Sequence, residues 1–578
     1  MPSNHKDFNQ FWCVDFEYES GPGENPRPIC MVAKELYSGH EVRMWRDDLG
    51  RCTSAPFGVG ANSLFVCFYA PAEMGCFRAL GWDAPAHVLD LFAEFRNLTN
   101  GRKTPSGNGL LGALAYFGLD SVGAVEKDGM RDLALRGGPW TEEEQDALLR
   151  YCASDVDAVL SLLAKMEPKL DLPRALFRGR YMIAVAAMEA VGVPIDGRTF
   201  EQLREYWPAI KAELIKEVDA DIGVYEGTTF KTKLFEEWLV KKGIPWPRTK
   251  SGRLALDDDT FRQMSRQYSE VSPLRELRHA MSKLRLEGLQ VGKDSRNRCM
   301  LSPYASKTGR NQPSTTKFAF GPAVWLRFLI KPPEGKAIAY VDWAQQEFGI
   351  AAALSGDRNM MDAYQSGDPY SRFAFQAELV STHSTERERR QAREQSKQCL
   401  LGVQFSMGAR TLALRLGVPE RRAKELLRLH KSTYPTFWKW SDAVVDTAFL
   451  HNKVSTVYGW DLHNSPDSNP RTFRNFPMQA NAAEMLRLAC IFVTERGVRV
   501  CAPIHDALLI EAPVDEIEKA VATTQCAMAE ASVAVLDGFE LRSDASVYVH
   551  PARYRDQRGK VMWDRVMGIL QKVKRVAS

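Results

Sequence analysis

Four short stretches carry acids where the surrounding pattern is apolar. "FWCVDFEYES" reads as a strand on which Asp15 and Glu17, two residues apart, project from one face. Two acids so placed repel each other unless something positive sits between them. "TEEEQDALLRYCASDVDAVLSLLAKM" opens with a capping box, Thr141 with Glu144, and continues as an amphipathic helix on which Tyr151 and Asp155 share a face. "GKAIAYVDWAQQEFGIAAALSGD" runs as an apolar strand to Asp342 and then turns helical through Glu347. In "VRVCAPIHDALLIEAP", Val498, Val500, Ala502 and Ile504 alternate, and "LLIEA" can form a second strand, so His505 and Asp506 sit at the tip of a hairpin. An acid at the lip of a buried sheet is exposed and aimed. Each stretch alone is equally a polar turn or a solvated face, since Asp is a common turn residue.

Two basic stretches complement these acids. Arg389, Arg393 and Lys397 recur every four residues in "RERRQAREQSKQCLLGVQFSMGA" and form a cationic stripe on a helix, matched to a triphosphate. The alternative is a solvated face balanced by Glu386, Glu388 and Glu394. From Ser295 to Pro333 there is no Asp or Glu, but there are Arg296, Arg298, Lys307, Arg310, Lys317, Arg327 and Lys331. That stretch suits a phosphate backbone, or is a solvated basic loop.

A chain of 578 residues must divide these features among several units, about three to five by usual domain size. Hydrophobic content of 45% and charged content of 26% describe a soluble globular protein, and the net charge of +4 does not discriminate among partners. No apolar run approaches the roughly 20 residues of a membrane span, and "MPSNHKDFNQF" lacks a signal-peptide profile, so the expectation is a cytoplasmic protein without a membrane partner. Eleven cysteines without a CxxC pair argue against a zinc ribbon and suggest reduced thiols. The absence of GxxxxGK[ST] argues against a helicase or other P-loop motor, and no internal repeat or heptad pattern is visible.

Together, the first two stretches resemble the DEDD exonuclease family in its Tyr-containing form, where an Asp-x-Glu strand and a Tyr-x-x-x-Asp helix converge on two divalent metals. The resemblance implies that Asp15, Glu17 and Asp155 are ligands of two Mg2+ and that Tyr151 orients the attacking water. The family's middle motif supplies an Asp; the best match, "FYAPAEMGCF", offers Glu73 instead.

The remaining motifs resemble family A DNA polymerases, the bacterial DNA polymerase I type. Motif A there runs Asp-Tyr-Ser-Gln-Ile-Glu-Leu-Arg, against Asp342-Trp343-Ala344-Gln345-Gln346-Glu347-Phe348-Gly349 here. "IHD" is that family's motif C, which makes Asp506 the second catalytic metal ligand opposite Asp342. Arg393, Lys397 and Gly402 fall in register with its nucleotide-binding helix. "SKTGRNQPS", with Arg310, and "NFPMQANAAEMLRLA", with Gln479, resemble its minor-groove-contacting segments, and His505 joins them as a DNA contact. Glu347 falls at the steric gate that crowds a ribose 2'-hydroxyl, which implies preference for dNTPs.

Four departures accompany this match. Ala507 replaces the Glu of His-Asp-Glu, Leu401 an aromatic residue, Phe405 a Tyr, and Gly349 an Arg. The expected fold is a multidomain α/β chain: an RNase H-like exonuclease domain over 1–167, then a right-hand polymerase with a thumb-containing region (168–306), first palm part (307–357), fingers (358–440), and second palm part with tail (441–578). The length leaves no room for the separate 5' nuclease domain of some relatives. The implied activity is templated DNA synthesis with 3'-5' proofreading on primer-template DNA, using two Mg2+ per site, replaceable by Mn2+, and compatible with replisome accessory proteins. The compact build resembles bacteriophage replicases, placing the chain in a host cytoplasm, and it is similar to phage polymerases of 2-aminoadenine genomes. The rivals are an exonuclease whose polymerase half only holds DNA, favoured by Ala507, and a noncatalytic replisome scaffold.

Overall fold

The strand Gln10–Glu19 (β1) is apolar on both faces because both are covered. Cys13 donates its thiol to the Val156 carbonyl on the helix Glu142–Met166, whereas Phe16 packs edge-on against Phe77 of the helix Ala70–Leu80. Alternation thus sends odd-numbered residues, including Asp15 and Glu17, toward the first helix. β1 pairs antiparallel with β2 (Arg27–Glu35), which pairs with β3 (Glu41–Trp45). On its other side it runs parallel to β4 (Ser63–Cys67), which pairs with β5 (Val88–Asp90), giving the order β3-β2-β1-β4-β5. The helix Glu142–Met166 begins with the capping box read from the sequence: Thr141 Oγ1 accepts from Glu144 N–H, and Glu144 accepts from Thr141 N–H.

In this computed structural model, which describes residues 8–119, 124–249, 251–283, 286–321, 323–403 and 406–577, a second sheet lies far along the chain. Its order is Arg499–Ile504, Ala507–Pro513, Lys336–Trp343, Ser543–Val549. The helix Pro470–Glu495 passes through the same apolar core, with Phe476, Met485, Ala489 and Val493 buried. A further helix, Leu172–Val191, touches β5 and Ala70–Leu80 as well as Arg499–Ile504 and Pro470–Glu495, so it joins the two sheets. Gly179 permits that approach: a Cβ there would lie 1.8 Å from the Val88 carbonyl oxygen. One residue earlier, Arg178 forms a bidentate pair with Glu94 at 2.5 and 2.7 Å, both side chains almost fully buried.

The chain divides into two compact units. The larger comprises Met1–Val191, Met300–Gln312 and Ile338–Val547, and contains the first sheet, most of the second, and the helices Pro369–Gln376 and Glu386–Val403. The smaller comprises Gly192–Cys299, Pro313–Ala337 and Tyr548–Ser578. Its core includes Phe235, Trp238 and Phe261, and its last helix, Lys560–Ala577, stacks Trp563 on Phe328 at 5.6 Å. Among the described residues no helix is long and apolar enough to cross a membrane.

Candidate active sites

β1 and the helix Glu142–Met166 bring three carboxylates together. Oxygens of Asp15, Glu17 and Asp155 all lie within 4.8 Å of one another, and Asp155 is buried. The pairing of β1 with β2 shifts register between Glu17 and Tyr18, a bulge that re-aims the strand beside the cluster. Cys152 donates its thiol to the Asp15 carbonyl and locks the helix to the strand. Tyr151, one turn before Asp155, has its hydroxyl pKa pushed up by burial and then by the charges of Asp155, Glu17 and Asp15.

Glu73 lies beside this trio but outside the close group. It sits on Ala70–Leu80, 3% exposed, and its carboxyl is pushed well up by burial and by the charges of Asp15 and Glu17. The Phe16 N–H donates to it, while Oε2 has no hydrogen-bond partner. Its helix is pinned at the start by Asp90, which accepts the N–H groups of Tyr69, Ala70, Phe92 and Ala93. Four hard-oxygen side chains with an orphaned buried oxygen fit divalent cations such as Mg2+.

The second cluster lies at the end of the other sheet. Ile504 pairs with Ala507, so His505 and Asp506 form the two-residue hairpin tip, with His505 at φ +54°. The Trp343 N–H donates to the Asp506 carbonyl at 3.2 Å, setting Asp506 beside the end of the Asp342 strand. Gln345, at φ +48°, turns the chain into the helix Gln346–Ser355, whose first turn carries Glu347. Burial, then Asp506, then Asp544 raise the Asp342 carboxyl to about 6. Burial also raises Asp506, opposed by His505 and Arg310. Arg310 reaches Glu347 at 3.5 Å, and its charge opposes the upward shift that burial gives that carboxyl.

Asp544 was not visible as a site residue in the sequence. Ala344 N–H donates to Arg542 O and His550 N–H to Lys336 O, a register that puts Asp544 directly opposite Asp342. The only advance signal is an acid near the start of a late strand, and register is what gives it meaning. At position 507, the small buried Ala packs beneath the tip.

The basic stripe lies on Glu386–Val403 as its spacing predicts, but it is partly engaged within the chain. Arg393 bonds Asp368 at 2.7 Å and Arg389 bonds the Thr382 carbonyl at 2.5 Å, whereas Lys397 has no ion-pair partner among the described residues. Leu401 is half-buried on the same helix; Phe405 lies outside the described residues. Gln479, on Pro470–Glu495, is half-buried two residues past Pro477. Gly349 is buried, and a Cβ there would meet Leu541 at 2.5 Å, so close packing leaves no room for a larger side chain at this departure from motif A.

The chain is similar in sequence and fold to known proteins. The DNA polymerase I of Chloroflexus aurantiacus is 24% identical over 434 residues, 68% of this chain and 45% of its own. The DNA polymerase of Mycobacterium phage L5 is 25% identical over 407 residues, 68% of this chain and 65% of its own. The chain thus spans about half the length of the first of these relatives. The POL domain of Pol1 from M. smegmatis, solved in complex with DNA primer-template and dNTP, superposes with a TM-score of 0.71 at 18% identity over 96% of both chains, a likeness of fold. The family model for DNA polymerase family A matches residues 199–547, more than half of the sequence, and the chain belongs to that family.

Proposed function

We propose that this chain is a DNA-templated DNA polymerase that also removes misincorporated 3' nucleotides at a separate site. The observation that carries the synthetic half is the meeting of Asp342 and Asp506 at neighbouring strand ends, with Glu347 and Arg310 beside them, in a family A chain. Their mutual repulsion suits a donor set for divalent cations. Asp342 and Asp506 would hold Mg2+, or Mn2+ in its place. A divalent cation held by these two carboxylates would supply Lewis-acid activation of a primer 3'-hydroxyl and charge neutralisation at an α-phosphate.

The chain's own groups do the rest. Lys397 and Arg393 receive the triphosphate, Arg393 exchanging its bond to Asp368 for one to phosphate, with Arg389 at the rim. Leu401 and Phe405 pack the nucleotide, and Glu347 crowds its 2' position, favouring dNTPs. Arg310 and Gln479 offer donors to the minor-groove acceptors that every Watson-Crick pair presents, and so test pair shape without reading sequence. His505 lies at the DNA beside Asp506.

In the N-terminal half, Asp15, Glu17, Glu73 and Asp155 would hold the metals of a 3'-5' exonuclease, and Tyr151 would orient the water. The β3-β2-β1-β4-β5 order and the close trio support an RNase H-like nuclease over 1–167. We read 307–357 as the first palm part, 358–440 as fingers, 441–578 as the second palm part with a C-terminal tail, and 168–306 as containing the thumb. The likeness to a phage polymerase supports replication of a phage genome. A labelled primer on a longer template tests the reading: longer products with dNTPs and Mg2+, and shorter ones without dNTPs, are expected. Ala507 favours a second reading, a nuclease with a retired polymerase site, which predicts shortening under both conditions.

A further inference from the structure

The segment 304–309, which leads into Arg310, contains no helix or strand, and its shape is imposed by other parts of the chain. Tyr304 is fully buried at φ +58° and stacks on Trp460 at 5.0 Å. Four of the segment's carbonyls are taken by side chains. Arg96 donates to Tyr304 O and Ala305 O at 3.2 and 2.9 Å, and Arg487 donates to Gly309 O at 2.8 Å. Asn100 and Trp460 both donate to Lys307 O, at 2.7 and 3.0 Å.

Arg96 and Asn100 come from the opposite half of the sequence, on and just after the helix Leu91–Thr99 beside β5. Asn100 is 3% exposed and uses its amide fully on this contact, donating to Asp461 O at 2.7 Å as well as to Lys307 O. Its backbone carbonyl accepts from His463 N–H. The approach is too close for any side chain at the next residue: Gly101 has φ +87°, and a Cβ there would lie 2.4 Å from the His463 carbonyl oxygen.

We propose that Asn100 and Arg96, which belong to the nuclease half, are positioning residues for the polymerase site: by holding the carbonyls of 304–307 they fix where Arg310 stands relative to Glu347 and the primer end. The inference rests on the polymerase reading given above. Asn311 is tied to the Tyr181 hydroxyl on the far side of Arg310, so the approach from 304–309 is what Arg96 and Asn100 add, and a site contact displaced by about 1 Å can lose much of its value. Here the segment is tied to a helix that is itself anchored to a sheet. Arg310 then meets Glu347 at 3.5 Å, which links the nuclease half to sugar selection through one side chain.

A double-mutant cycle on the full chain tests this. Asn100→Ala and Arg96→Lys are each combined with Arg310→Ala, and kcat/KM is measured for dGTP and for rGTP, with degradation of a single strand as the control for folding. Either single variant should lose about tenfold in extension and narrow the dGTP-to-rGTP ratio several-fold, while single-strand degradation persists. Each double variant should lose little more than Arg310→Ala alone. Additive losses, or an unchanged sugar ratio in both single variants, would overturn the proposal. A wild-type chain that never extends a primer would refute the polymerase reading and this inference with it.

Discussion

Asp544 stands directly opposite Asp342 across two hydrogen-bonded strands, so the proposed polymerase cluster carries an acid beyond the two that its motifs supply. Like charges facing each other across a ladder are unfavourable. Their persistence beside the proposed metal ligands Asp342 and Asp506 is understandable if Asp544 raises the local attraction for cations where Ala507 supplies no carboxylate. Asp544→Asn should therefore raise the Mg2+ concentration needed for half-maximal extension by about fivefold, with the deficit disappearing at saturating Mg2+. A Mg2+ titration of extension rate checks this; an unchanged midpoint would reduce Asp544 to a bystander.

The raised Asp342 carboxyl makes a prediction about metal-free stability. Its pKa near 6, caused by burial and then by Asp506 and Asp544, lies above the unfolded value of about 3.9. The native state therefore binds the proton more tightly, and the stabilisation this gives is complete below about pH 4 and lost as pH rises through 6. In EDTA, Asp342→Asn should melt higher than wild type at pH 7.5, and the gap should close toward pH 4. Melting curves across that range suffice, and a gap of constant size would contradict the assignment.

The pair Arg178 and Glu94 allows a test that does not depend on catalysis. Both groups are almost fully buried where the helix Leu172–Val191 crosses Leu91–Thr99, and each is satisfied chiefly by the other. Glu94→Ala leaves a buried guanidinium without its counter-charge and should cost about 3–5 kcal/mol. Replacing both, as Glu94→Leu with Arg178→Met, should recover most of that loss. Denaturant unfolding of the three variants would reveal it, provided the transition stays cooperative.

What could be read from the sequence follows how local each determinant is. The Thr141 and Glu144 cap, the hairpin around Asp506 and the strand-to-helix turn after Asp342 are set within a few residues, and periodicity reveals them. Asp15, Glu17 and Asp155 required a known pattern to connect them, because nothing in either segment alone tells β1 that it packs on the helix beginning at 142. Asp544 and Asn100 escaped for a different reason. Asp544 acquires its role only from strand register, and Asn100 only from the docking of one helix end on an irregular segment 207 residues away. The ion pair of Arg393 with Asp368 likewise depends on how two helices meet, whereas the stripe itself was plain from its spacing.

The two carboxylate clusters should be separable by single substitutions. Asp15→Ala removes a member of the close trio and should lower degradation by about a thousandfold while leaving extension intact; Asp506→Ala should do the reverse. Both variants are assayed on one labelled primer, with and without dNTPs. Loss of both activities from either change would mean that the clusters do not act as independent sites.

Sugar selection supplies the sharpest test of the polymerase site, because it reads one side chain. Glu347 is half-buried in the first turn of Gln346–Ser355, close enough to Asp506 to feel its charge and held by Arg310 at 3.5 Å. In the proposed polymerase reading, a carboxylate so placed would obstruct a 2'-hydroxyl by its bulk and by the desolvation it would impose, and neither effect would act on a deoxyribose. Glu347→Ala should therefore raise rGTP incorporation by about a hundredfold relative to dGTP. Glu347→Gln, which keeps the bulk but loses the ion pair with Arg310, should relax discrimination less. If Glu347→Ala left the ratio of kcat/KM values unchanged, the gate would have to lie elsewhere, and the proximity of Arg310 to Glu347 would then serve only to neutralise a carboxylate beside Asp506.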